Sequence, residues 1–393
     1  MTLPAGRALV IGGSVGGLAA AHELLAIGAE VTVFERSVDR TQPRGAGIVM
    51  QSEVEALLSR LGRSVPSVSV LLRERQQLHR DGRLNRYDAP QWMTSWDTLY
   101  SALREPLPEG CYRLNSELAS LRVGDGQVTA AFTAGHEAVG DIVVGADGVG
   151  STVRSLLGIP GTAAYSGYVA FRGLEPEGAL PAHLAELLAE RFTMFAVPGL
   201  QLLCYLVPGA GGELRPGARR VNWVWYVNVA EPNLPTLLTG TSGRRFDHFV
   251  PPGELTPEVI DRLRSLAHDA LPPQFAELVQ CSRVFMQPVF DVPPVAMTGD
   301  HAVLIGDAAG TVRPHTASGT SKAFGDAADL ARALRGADVG AGSYDELPRE
   351  LEQWQRYRLA HLASVARHGI RLAAQSSLGV AGPEFLSESR KAG

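Results

Sequence analysis

The run Ala8-Leu9-Val10-Ile11, followed by Gly12-Gly13-Ser14-Val15-Gly16-Gly17, constrains the fold more than any other part of the chain. A continuous apolar run reads as a strand buried on both faces of a parallel sheet. The glycines turn it into a helix over 18–26, with Leu18, Ala21, Leu24 and Leu25 on one face. Gly28 punctuates, and Val31-Thr32-Val33-Phe34 forms the next strand. This order is the βαβ unit that grips a dinucleotide. Gly12 permits the tight turn, Gly17 lets helix pack on strand, and the helix N-terminus offers free N–H groups to a pyrophosphate. The middle position of the motif is Ser14 rather than glycine, still small and able to donate to phosphate. Glu35 ends the second strand 23 residues after Gly12. A carboxylate there accepts the hydroxyls of an adenosine ribose and repels a 2′-phosphate, so FAD or NAD is expected rather than NADP.

A chain of 393 residues accommodates one large α/β unit or two interleaved domains. With 45% hydrophobic and 20% charged residues it is globular rather than disordered. A net charge of −5 gives no basic face for nucleic acid. Cys111, Cys204 and Cys281 form no CxxC pair, which fits a reducing compartment and offers no disulfide framework. The first strand begins too early to leave room for a signal peptide, and no apolar run approaches the roughly 20 residues of a membrane helix. A soluble cytoplasmic protein is the expectation. His22, His136, His268 and His361 lack metal-ligand spacing, so no metal is expected, and no G-x-S-x-G elbow occurs.

Further along, a helix is expected over 52–61, and hairpins turn at Asp81-Gly82 and Gly124-Asp125-Gly126. A helix follows over 98–103 and a buried strand over 141–145. Strand-like segments 168–172, 202–207 and 221–229, separated by Pro/Gly turns, read as an inserted antiparallel sheet. A helical stretch over 256–278 precedes a returning parallel strand at 302–305, then helices over 319–334 and 350–374.

Two more motifs follow strands. Gly145-Ala146-Asp147-Gly148-Val149-Gly150-Ser151 runs on to Arg154, and Gly306-Asp307-Ala308-Ala309 leads to Arg313-Pro314-His315 and a helix opening at Ser318-Gly319. Each alone could be a polar turn. In this order and spacing, with the N-terminal unit, they resemble the aromatic-ring flavoprotein hydroxylases, the p-hydroxybenzoate hydroxylase-like family. The segments GAGIVMQSE, TSWDTLYSAL, GYVAFRG, WYVNVAE and GDAAGTVRPHTASG resemble its 2,6-dihydroxypyridine hydroxylase subgroup. The usual His after GDAA is Gly310 here, and a His stands instead at position 315.

The resemblance implies an α/β fold with a Rossmann-like FAD-binding domain (1–68, 97–163 and 284–393) and an inserted antiparallel-sheet substrate domain (69–96 and 164–283). It implies that Gly12, Ser14, Val15, Gly17, Glu35 and Arg36 hold the adenosine and pyrophosphate of FAD. Asp147 would lie near the pyrophosphate, with Arg154 orienting that region. Asp307 would accept ribityl hydroxyls. Pro314 and the amides of Gly319, Thr320 and Ser321 would face the flavin, where the positive end of a helix dipole stabilises the anionic reduced ring. Arg44 either borders the isoalloxazine ring or is a solvated loop arginine. The implied reaction is hydroxylation of a small hydroxylated aromatic or hydroxypyridine-like ring. NADH or NADPH reduces the flavin, O₂ gives a flavin C4a-hydroperoxide, and the electron-rich ring attacks it. His315 is the candidate base that ionises the ring, its alternative role being to fix the turn.

Trp223-Val224-Trp225 is shared with flavin halogenases, but Tyr226-Val227 follows instead of Ile-Pro. No lysine precedes Lys322, which excludes halogenase chemistry. Trp225 and Tyr226 are candidates for the substrate pocket, although alternating aromatics on a strand usually only pack. A tailoring hydroxylase or epoxidase shares every motif, and an electron carrier or redox sensor without organic substrate is the alternative of a different class. A homodimer stays open.

Overall fold

The computed structural model describes residues 6–37, 47–336, 349–380 and 385. The opening apolar run forms the strand Arg7–Ile11 within a six-stranded sheet. The order is Thr298–Gly299, Ala302–Leu304, Ile142–Gly145, Arg7–Ile11, Glu30–Phe34 and Tyr112–Arg113. All neighbours are parallel except the first pair. Burial on both faces explains the unbroken apolar runs: Val10, Val33, Val143 and Leu304 are all inaccessible to solvent. The helix Val15–Ala26 packs on Gly319–Gly336, which packs in turn on Arg349–Gln375. A separate three-stranded meander spans 118–140, turning at Asp125 and Gly126, which both have positive φ.

The inserted segments build an eight-stranded sheet. Its order is Phe285–Asp291, Ala164–Pro176, Arg220–Asn228, Leu200–Val207, Arg191–Val197, Val70–Leu78, Leu84–Ser95 and Gly47–Val49. Every pairing is antiparallel except Arg191–Val197 on Val70–Leu78. Two of its strands, Gly47–Val49 and Phe285–Asp291, come from segments that sequence assigns to the FAD-binding part. Pairing at a sheet edge is long-range and leaves little local pattern. The helical stretch expected over 256–278 is two helices, Pro257–Ala270 and Pro273–Cys281. Pro272 is the reason, since it lacks an N–H and disfavours helical backbone at Leu271.

Strand alternation gives the eight-stranded sheet two unlike faces. Trp223, Trp225, Val169 and Phe171 pack outward in one core with Leu263, Phe275 and Leu278 of those two helices. Tyr168, Ala170, Val224 and Tyr226 point the other way and meet Ala373 and Leu378. On this inner face Arg220 reaches Asp97, and Asn222 accepts the Gly47 N–H over 3.2 Å. The inner face therefore looks onto the six-stranded unit. Among the described residues no helix is long and apolar enough to cross a membrane, and no three His, Cys, Asp or Glu side chains gather as a metal site.

Candidate active site

The glycine turn is held open by geometry that only glycine satisfies at two points. Gly12 has φ +104°, and a Cβ there would lie 2.4 Å from the Ala146 carbonyl oxygen. At Gly17 a Cβ would sit 1.8 Å from the Gly12 oxygen. Close packing of turn, helix and neighbouring strand leaves the N-terminus of Val15–Ala26 with no acidic residue and no side-chain cap. Ser14 is exposed there, and its Oγ accepts a 3.3 Å hydrogen bond from Trp96 Nε1, leaving its own O–H free to donate. Glu35 Oε2 accepts the Gly13 N–H over 2.7 Å while Oε1 binds the Ser37 backbone and hydroxyl. The carboxylate thus braces the turn and keeps lone pairs for ribose hydroxyls. Val15 is buried behind the turn, and Arg36 is exposed beside Glu35.

The two later motifs meet at the ends of adjacent parallel strands. Asp147 is consumed by its own turn. Its oxygens accept from Ser151 Oγ (2.5 Å), Thr152 N (2.7 Å) and Val153 N (3.1 Å), capping the short helix Thr152–Leu156. Arg154 is buried and bonds the carbonyls of Val149 and Ala308, joining both motifs. Asp307 differs from Asp147: among the described residues it accepts no hydrogen bond, and 51% of its side chain is open. The surrounding protein raises its carboxyl pKa against the pull of Lys322, 4.0 Å away. Lys322 is fully enclosed and donates to the Gly306 and Gly310 oxygens. Asp326 Oδ2 accepts the Gly306 N–H and Oδ1 pairs with Arg358 at 2.7 Å. This buried network clamps the whole turn from beneath.

Next along the chain, Pro314–Thr316 forms a single 3-10 turn and Ala317 adopts the left-handed conformation before the helix Gly319–Gly336. Gly319 is exposed with open space where a Cβ would lie, Thr320 is half-buried and Ser321 is buried beside it. His315 reaches the inner face of the eight-stranded sheet. Its Nδ1 meets Gln201 Oε1 at 3.0 Å and its Nε2 meets the Tyr168 hydroxyl at 3.0 Å. Its ring lies 4.6 Å from that of Tyr226. The carbonyl oxygen of Gln201 only accepts, so Nδ1 donates and Nε2 accepts from Tyr168. Burial, aided by the nearby Arg313 charge, lowers the His315 pKa to about 4.

Tyr226 and His315 are therefore together, as the sequence suggests. Trp225 is not with them: alternation turns it to the outer face, where it is fully buried in the helix-covered core. Arg44 lies outside the described residues. Sequence reasoning missed Tyr168, Gln201 and the Lys322–Asp326–Arg358 network. A lone lysine four residues before an aspartate on an Ala- and Leu-rich helix face was the available signal for the last of these.

The residues present suit FAD. A helix N-terminus with no acidic residue in its first turn fits a pyrophosphate, Glu35 fits an adenosine ribose, and the half-open carboxylate of Asp307 fits the ribityl hydroxyls. A parallel sheet with these turns at its strand ends, roofed by a second sheet, defines an FAD-binding oxidoreductase. Comparison with known proteins agrees. A family model described as FAD binding domain-like matches residues 165–291. The chain is 33% identical to 2,6-dihydroxypyridine 3-monooxygenase of Paenarthrobacter nicotinovorans, across 92% of each chain. It is 27% identical to 6-hydroxynicotinate 3-monooxygenase of Pseudomonas fluorescens, across 86% of this chain and 84% of that one. Among solved structures, 2,6-dihydroxypyridine-3-hydroxylase from Arthrobacter nicotinovorans superposes with a TM-score of 0.86 at 30% identity, covering 98% of both chains. The chain belongs to the FAD-dependent flavoprotein monooxygenases that act on aromatic rings.

Proposed function

We propose that this monooxygenase hydroxylates a small hydroxylated N-heteroaromatic ring of the hydroxypyridine type, using NADH or NADPH as electron donor. The six-stranded unit holds FAD and the inner face of the eight-stranded sheet roofs the substrate. The observation that carries the reading is that inner face: a polar group of Tyr168, His315 and Gln201 set beside Tyr226 and the apolar Ala170 and Val224. Two relatives named for hydroxypyridine rings support the same class.

Reduced FAD supplies the activated oxygen. The chain's own residues orient the ring, exclude water and favour its ionised form, which is the more nucleophilic one. His315 is the nearest candidate proton acceptor. Burial keeps it neutral at working pH, but both ring nitrogens are already engaged. It takes a ring proton at Nε2 only by exchanging the Tyr168 hydroxyl for substrate. A panel of 2,6-dihydroxypyridine, 6-hydroxynicotinate and simple phenols, mixed with the FAD-loaded protein, tests the reading. NADH or NADPH oxidation should be stimulated by a hydroxypyridine, with a product one oxygen atom heavier. Stimulation by phenols alone would move the substrate class away from hydroxypyridines.

A further inference from the structure

Three arginines on or beside the inner face differ in one respect. Arg220 is matched by Asp97 at 2.7 and 2.9 Å, and Arg313 by Asp291 at 2.6 to 3.2 Å. Arg172 has no carboxylate and no hydrogen bond among the described residues, and its Nε is buried without a partner. Its place in the strand Ala164–Pro176, two residues beyond Ala170 and opposite Val224, sets its side chain on the inner face. There its charge is felt by the phenols of Tyr205 and Tyr226. Neither phenol is a counter-ion, since burial raises the pKa of both. Next to Tyr205, Asn222 gives its oxygen to the Gly47 N–H and leaves Nδ2 buried and unpaired. A guanidinium half-removed from water with no anion carries a desolvation cost that a matched ligand relieves.

We infer that Arg172 receives the anionic oxygen of the substrate ring. The pairing fixes the ring beneath Tyr226 and makes its ionised form the one that binds. This rests on the hydroxypyridine reading above and deepens it. Arg172 and His315 both neighbour Tyr226, the one through its charge and the other by a ring contact at 4.6 Å. A ring bound beside Tyr226 is therefore within reach of both a fixed cation and a neutral imidazole. The guanidinium fork suits a planar ring whose oxygen and ring nitrogen lie side by side. Unlike a base, Arg172 moves no proton: it lowers the free energy of the ionised ring.

The test is a titration of the FAD-loaded protein without NADH or NADPH, followed by the change in flavin absorbance. Wild type, R172K and R172M are each titrated with 2,6-dihydroxypyridine, with benzoate and with uncharged pyridine. R172M should weaken 2,6-dihydroxypyridine about 10- to 100-fold, the range for a hydrogen bond to a charged group. R172K should fall between, since it keeps the charge and loses the fork. Pyridine affinity should stay within about twofold, and thermal unfolding of the R172K holoprotein should match wild type. Equal loss for pyridine and 2,6-dihydroxypyridine, or no loss in either variant, overturns the inference. If wild type ignores 2,6-dihydroxypyridine but binds benzoate in an Arg172-dependent way, the anion site stands and the hydroxypyridine reading falls. Binding of neither anion overturns the site itself.

Discussion

Arg154 donates from Nη1 to the carbonyl oxygen of Ala308 over 2.8 Å, tying two turns that lie 154 positions apart in the chain. Both turns end neighbouring parallel strands, Ile142–Gly145 and Ala302–Leu304, where an α/β sheet opens its ligand crevice. The same side chain holds Val149 through Nη2 at 2.6 Å. Replacing it with methionine takes the donor from the buried Ala308 carbonyl and the half-buried Val149 carbonyl. Arg154→Met should cost about 2–4 kcal/mol of stability in urea unfolding. FAD affinity should fall with it by about tenfold or more, and Arg154→Lys should recover part of both losses. Unchanged flavin affinity in a destabilised protein would confine Arg154 to folding.

Asp307 offers the opposite case, a half-open carboxylate that accepts no hydrogen bond among the described residues. Hydrogen bonds from ribityl hydroxyls to a charged acceptor are worth roughly 1.5–3 kcal/mol each. Asp307→Ala should weaken FAD by at least about tenfold while the apoprotein stays folded. Fluorescence titration of apoprotein with FAD measures this. Undiminished affinity would return Asp307 to the role of a simple turn residue. Asp147, already spent on three hydrogen bonds to its own helix, should instead lose stability when changed to Ala.

His315 gives the fold a pH dependence with a definite sign. It stays neutral in the folded protein down to about pH 4, while an unfolded histidine titrates near about 6.5. Between those values the unfolded chain binds more protons, so this group removes stability as pH falls from about 6.5 towards about 4. His315→Asn should flatten that part of the stability–pH curve. Denaturant midpoints across this range read the effect, and an identical slope in the variant would contradict it.

The same substitution separates the two roles of the imidazole. As a proton acceptor, its loss should leave FAD binding and NADH or NADPH reduction intact while diverting oxygen to hydrogen peroxide. Hydroxylation should recover as pH rises and the ring ionises unaided. As an anchor for Tyr168 and Gln201, its loss should weaken substrate binding with coupling unchanged at every pH. The ratio of product to NADH or NADPH consumed distinguishes them.

Much of the cofactor side was legible because its signals are local. An apolar strand, a positive-φ glycine and a carboxylate at a strand end sit within a few residues of one another, as Gly12, Gly17 and Glu35 do. The substrate side is assembled by register between distant strands. Alternation says that only one of Trp225 and Tyr226 can face the pocket, and only the pairing Ala170 to Tyr226 decides which. Gln201 joins His315 across 114 positions, and no sequence period announces that meeting. Arg172 was visible as an arginine in an apolar strand, but its lack of a partner is a property of the packed sheet. Lys322 served in the sequence only to exclude a halogenase, and its clamp on Gly306 and Gly310 needs the helix and turn together.

Whether this chain inserts oxygen into a hydroxypyridine ring is decided most directly with isotopically labelled O₂. The FAD-loaded protein, NADH or NADPH and 2,6-dihydroxypyridine are combined under ¹⁸O₂, and the product is analysed by mass spectrometry. The account predicts a trihydroxypyridine carrying one labelled oxygen, formed in step with electron-donor consumption. Electron-donor oxidation that yields only labelled hydrogen peroxide, across the whole hydroxypyridine panel, would contradict it.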